Sequence, residues 1–193
     1  MNHLAHLFLA APGAESLIGN LAGDFVKGPL ADRFTPGIRA GIQQHRRIDA
    51  FTDSHPSAGE FRRVLTPEHG HYARVIADMF FDHFLACRFE EFAGESLEAF
   101  LQRTFATIDP HAGELPGRLR EVYPHIRDEQ WLQSYRRIDS IHFALQNMSR
   151  RFSRKPALAP ATHFLVDARE ELERHFEVLF RDIMAFSRVG FTP

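Results

Sequence analysis

The chain has 193 residues, of which 44% are hydrophobic and 25% charged: enough apolar material for one well-filled domain and too little length for two comfortable ones. With 23 Lys and Arg against 25 Asp and Glu, the formal charge is −2, which excludes a global positive field for nucleic acid or anionic lipid. The single cysteine, Cys87, excludes an internal disulfide framework and a thiolate-rich zinc site, and suits a reducing compartment, so a cytoplasmic location is expected.

The opening MNHLAHLFLAAPGA is apolar but has no Lys or Arg before Lys27, and His3 and His6 interrupt it, so it does not read as a secretory signal. Leu7 and Leu9 also fit a short strand. Ser16 is a candidate cap for a helix through Leu17, Ile18, Leu21, Ala22 and Phe25, stopped by Gly28-Pro29. Thr35-Pro36 predicts a helix start with proline in the first turn, and the segment should end before Pro56. Ser57 to Glu60 reads as a capping box for a short helix, and Thr66-Pro67 as the start of a long one carrying Val75, Ile76, Met79, Phe80, Phe84 and Leu85.

A further stripe follows Gly94, and the Pro- and Gly-rich stretch 109–124 reads as loop with a helical turn. Asp128 is expected to cap one helix running to Met148. The basic connection SRRFSRK leads to a last helix from about Ala161. Strand alternation and hairpin signals are lacking. The expected fold is a single all-α domain, residues 1–193, of about seven helices. Nineteen Phe against three Tyr and one Trp predict a large dry core.

Twelve His are dispersed along the chain, and four polar clusters interrupt the apolar stripes. Asp24 lies between glycines near a helix end, where a cap or surface role would also explain it. His45, Asp49 and Asp53 follow at steps of four and share one helix face beside Ile48 and Phe51. A half-buried imidazole between two carboxylates is costly unless a cation or a hydrogen-bond network satisfies it. Asp78, Asp82 and His83 sit inside a Phe-rich helix, where charged groups have few structural explanations. His3 and His6 would lie roughly on one side of a helical N-terminus. Such nitrogen and oxygen donors suit Mn, Fe, Zn or Mg. No Gly-rich phosphate loop, nucleophile elbow or HExxH motif occurs.

The segments MNHLAHLFLA, GNLAGDFVKG, GIQQHRRIDAFTDSHP and DMFFDHFLA, in this order, resemble the acyl carrier protein phosphodiesterases. The resemblance is strong over roughly residues 1–90, and QWLQSYRRID extends it. It implies a divergent HD-type metal-dependent phosphohydrolase fold, manganese, and removal of 4′-phosphopantetheine from holo-acyl carrier protein by a metal-activated water, with no nucleic-acid or membrane partner. The ligands then expected are Asp24, His45, Asp82 and His83. Asp49 is expected as a ligand or an orienting group, Arg46 as a phosphate clamp and His6 as an acid for the departing serine oxygen. The Arg150, Arg151, Arg154 and Lys155 cluster is expected to meet an acidic carrier protein. Two other readings are a ferritin-like di-metal protein, for which Glu68-His-Gly-His71 is the one Glu-x-x-His spacing, and a helical interaction module with structural His–Asp pairs.

Overall fold

The strongest start signal in the chain behaves as its chemistry requires. Thr35 Oγ1 accepts the amide of Ile38 at 3.3 Å, and Pro36 opens the helix that carries His45 and Asp49. The computed structural model describes residues 1–30, 33–128 and 130–189. Its longer helices are α1 (His3–Leu9), α2 (Ala14–Ala22), α3 (Pro36–Ser54), α4 (Pro56–His69), α5 (Ala73–Cys87), α7 (Leu97–Ile108), α8 (Leu119–Asp128), α10 (Ile138–Ser149) and α12 (Arg169–Val189). The short turns α6 (Phe89–Ala93), α9 (Trp131–Ser134) and α11 (Phe164–Asp167) connect them. Among the described residues there is no strand, so the all-α expectation holds while the segments outnumber the seven expected.

The differences have local causes. Thr66 does not start a helix: its hydroxyl donates to the Arg62 carbonyl at 2.7 Å, which keeps it inside α4. The break falls instead at Gly70, whose φ of 51° favours glycine. The stretch read as loop contains α8, because Leu119, Tyr123 and Ile126 bury one face despite Pro124. The helix expected from Asp128 to Met148 is split, since Tyr135 to Arg137 leave the helix between α9 and α10.

Helix α5 is buried nearly all round, from Ile76 through Ala86, and packs against α1, α4, α10 and α12. A helix with apolar groups on every side belongs in the centre of a core. Phenylalanines fill that centre: Phe61 lies 4.6 Å from Phe81 between ring centroids, Phe84 5.6 Å from Phe176, and Phe176 5.2 Å from Phe180. The buried apolar side chains form one connected cluster.

Helices α2 and α3 cross where Gly19 faces Gly41. A Cβ on Gly19 would lie 2.4 Å from the Ile38 carbonyl oxygen, and one on Gly41 2.7 Å from that of Ser16. Both obstacles are backbone, which cannot swing away. This close crossing brings the Asn20–Asp24 segment against His45. In Gly41→Ala the gain in helix propensity should therefore be outweighed by the clash, with a net loss of about 1–3 kcal/mol in urea-unfolding stability. A variant as stable as the parent would contradict the crossing.

Candidate active site

His45 projects from α3 into the turn that ends α2. Its Nδ1 donates to the backbone carbonyl of Asn20 at 2.8 Å, which directs Nε2 toward two carboxylates. Asp49 Oδ2 is 3.2 Å from Nε2 and Asp24 Oδ1 3.6 Å. Room for the ring exists because residue 23 is glycine: a Cβ there would fall 2.1 Å from His45 Cγ. His6, from α1, stacks on His45 with ring centroids 3.6 Å apart, and its Nε2 donates to Asp49 Oδ1 at 3.2 Å. Donor atoms of His6, His45 and Asp49 all lie within 4.8 Å of one another. His3 is beside them, Nδ1 3.7 Å from Asp24 Oδ2.

These groups set one another's protonation. Burial pushes the His45 imidazole down, but hydrogen bonds to Asp24 and Asp49 outweigh it and raise the pKa to about 9. Burial, reinforced by the charge on His45, lowers His6 to about 4 against the pull of Asp49. Burial raises both carboxyls, yet the histidines hold Asp24 and Asp49 well below the ordinary carboxylate range. The cluster thus pairs two carboxylates with one imidazolium and one neutral imidazole.

The acids of α5 serve a different purpose from the ligand role expected of Asp82. Both of its oxygens are taken by backbone amides at the start of α1, Leu4 at 2.8 Å and Ala5 at 3.2 Å. Its carboxyl is fully buried, and that burial outweighs the two amide bonds and raises it to about 7. Asp78, one turn earlier, binds the Met1 amino group at 2.8 Å. His83, also expected as a ligand, points away: neighbours on a helix diverge by about 100°. Its Nδ1 donates to the Tyr135 carbonyl at 2.7 Å, and Cys87 lies beside the ring. Arg46, expected to clamp phosphate, instead tethers the loop after α2, with Nη2 donating to the carbonyls of Val26 at 3.1 Å and Gly28 at 2.9 Å. Asp53 is paired with Arg62 and Arg74, and Glu68 with His163, outside the cluster.

Two contributors carried no role in the sequence. Gln44 donates to the Leu9 carbonyl at 2.8 Å and accepts from Asn20 Nδ2 at 2.9 Å, joining α1, α2 and α3. Both residues fall inside the GNLAGD and GIQQH segments, which was the one available signal.

A family model for acyl carrier protein phosphodiesterase matches residues 1–183. The chain belongs to the acyl carrier protein phosphodiesterase family. Among its relatives, the acyl carrier protein phosphodiesterase of Serratia proteamaculans is 35% identical over 188 residues, covering 95% of this chain and 96% of the relative. That of Yersinia pestis is 34% identical over 185 residues, with 95% and 96% covered. The Yersinia enterocolitica protein is 34% identical over 187 residues, with 96% and 93% covered. No solved structure matches the chain. The protein is accordingly a phosphodiesterase, and among the described residues no helix is long and apolar enough to cross a membrane.

Gly23 offers a test of the site that acts through one side chain. Its φ and ψ of −52° and −40° are helical, so alanine fits the backbone, and the three atoms nearest its Cβ all belong to the His45 ring. Displacing that ring by about 1 Å should lower phosphodiesterase kcat/KM roughly 100-fold. The thermal midpoint of Gly23→Ala should fall as well, since the displaced ring is buried and bonded to the Asn20 carbonyl, while the helical circular dichroism stays that of the parent. Parental kcat/KM in this variant would show that His45 need not occupy this position.

Proposed function

We propose that the protein hydrolyses the phosphodiester joining 4′-phosphopantetheine to the serine of holo-acyl carrier protein, yielding the apo protein and free 4′-phosphopantetheine. We further propose that Mn²⁺ or a similar divalent cation is held by His45, Asp49 and Asp24, with His6 as an additional nitrogen donor. The observation that carries the reading is the convergence of His6, His45 and Asp49 from two helices at one point beside Asp24. The donor set fits such a cation on the chain's own chemistry. Both carboxyls stay ionised, and His45 has its Nδ1 engaged by a carbonyl, which leaves its Nε2 facing them. Two carboxylate oxygens and imidazole nitrogen converging at one point are a donor set that suits such a cation.

When bound, the cation supplies Lewis acidity to the phosphoryl oxygens and lowers the pKa of water. The chain's residues do the rest. Asn20 fixes the tautomer of His45, and Asp49 orients both imidazoles. His6, with a pKa of about 4, is neutral at pH 7 and so fits a nitrogen donor better than the acid expected from sequence. Arg150, Arg151, Arg154 and Lys155 are exposed in the turn after α10, which suits steering of an acidic carrier.

The decisive experiment incubates the protein with holo-acyl carrier protein and Mn²⁺ and follows the carrier by mass spectrometry. The parent should produce the apo form, and Asp49→Asn should lower the rate at least about 100-fold. Parental rates in Asp49→Asn would sink the assignment of the site.

Cation uptake should also depend on pH in a defined direction. Without the cation, His45 Nε2 carries a proton up to about pH 9, and that proton must leave before the nitrogen can coordinate. Mn²⁺ affinity should therefore rise about tenfold per pH unit between pH 7 and 8.5. Calorimetry in buffers of different ionisation enthalpy should record release of about one proton. An affinity independent of pH would argue against coordination by His45.

A further inference from the structure

Asp24, Asp78 and His3 border one end of a cleft of about 860 Å³. Residues of α8, α9, α10 and the turn that follows also line it. The size falls within the range of sites that enclose a small organic ligand. Two features of this lining are not used by the His–Asp cluster.

The first is charge. Arg118 and Arg151 line the cleft, and neither makes an ion pair with a described residue. Most other arginines near carboxylates are engaged, as Arg62, Arg88 and Arg127 are. Arg151 is close enough to His3 for its charge to act on that imidazole, and so stands near the end where Asp24 lies. A planar guanidinium without a carboxylate partner is suited to bind the oxygens of a phosphoryl group in a bidentate manner. Arg46 is held by two loop carbonyls.

The second feature is an apolar wall. Phe143 is 62% exposed, a large apolar surface left open beside a dry core, and it lines this cleft together with Phe152 and Trp131. Asn147 adds an amide on the same side. One phosphoryl-binding end followed by an aromatic wall with an amide matches a ligand that has one phosphate and an uncharged chain containing amides.

Resting on the function proposed above, we propose that this cleft seats the phosphopantetheine arm of the substrate, with Arg151 on the phosphoryl oxygens and Phe143, Phe152 and Trp131 along the chain. Arg118 adds positive potential to the same cleft. The arm is thereby oriented with its phosphodiester toward the His–Asp cluster, and specificity for the arm resides in α9, α10 and the turn after α10.

Binding tests this without turnover. Trp131 is the only tryptophan in the chain, so its emission reports on occupancy of the cleft. In buffer containing Mn²⁺, 4′-phosphopantetheine and pantetheine are titrated into the parent, Arg151→Gln, Arg151→Lys and Phe143→Ala, with affinity read by calorimetry and location by Trp131 emission. Arg151→Gln should weaken phosphopantetheine at least about tenfold while leaving pantetheine within about twofold, because the lost contact is charge-assisted and confined to the phosphate. Arg151→Lys should recover part of the loss. Phe143→Ala should weaken both ligands several-fold. Equal phosphopantetheine affinity in parent and Arg151→Gln overturns the proposal, as does binding that leaves Trp131 emission unchanged, or no binding by the parent. Conversion of holo- to apo-carrier by the parent, run in parallel, reports separately on the function itself.

Discussion

The site depends on how a seven-residue helix is held in place. Helix α1 is too short to be stable alone, so its position comes from acceptors and donors on other elements. At its N-terminus the buried Asp82 carboxylate takes the amides of Leu4 and Ala5, and at its C-terminus Gln44 takes the carbonyl of Leu9. With both ends fixed, His6 has one place to go, flat against His45. Gln44 also binds Asn20, whose carbonyl orients His45. A single hydrogen-bonded chain thus runs from α1 through α3 to α2 and ends on the imidazole that faces both carboxylates.

That arrangement stores electrostatic tension. Two stacked imidazoles 3.6 Å apart cannot both be charged at low cost, and the carboxylates choose between them. His45, facing both Asp24 and Asp49, keeps its proton, whereas His6, more deeply buried and facing Asp49 alone, gives it up. The proton on His45 Nε2 lies between the Asp24 and Asp49 carboxylates. The backbone thus sets the charge state of the cluster, with the protonated His45 ring as counter-charge to the two carboxylates.

The arginines divide along similar lines. Arg46 sits directly beside His45 in sequence, but it holds the loop after α2 in place through two carbonyls. Arg62 and Arg74 neutralise Asp53, which takes that carboxylate out of the His45–Asp49 series. The cleft arginines without an ion pair to a described residue, Arg118 and Arg151, lie on either side of the QWLQSYRRID segment in the C-terminal half of the chain.

The sequence by itself determined the helical class, the start of α3 at Thr35-Pro36, the Phe-rich centre and the shared face of His45 and Asp49. All of these follow from short-range chemistry: capping oxygens, fixed proline geometry and a 3.6-residue period. It also marked Asp24 and His6, through the family segments that contain them. Only the tertiary structure decided which of the buried acids and imidazoles meet. Asp82 and His83 are adjacent in a helix and therefore face different neighbours, one the amides of α1 and the other the Tyr135 carbonyl. Whether a carboxylate caps a helix or faces an imidazole depends on which element is packed against it. That is a contact between residues 78 positions apart, which periodicity cannot encode.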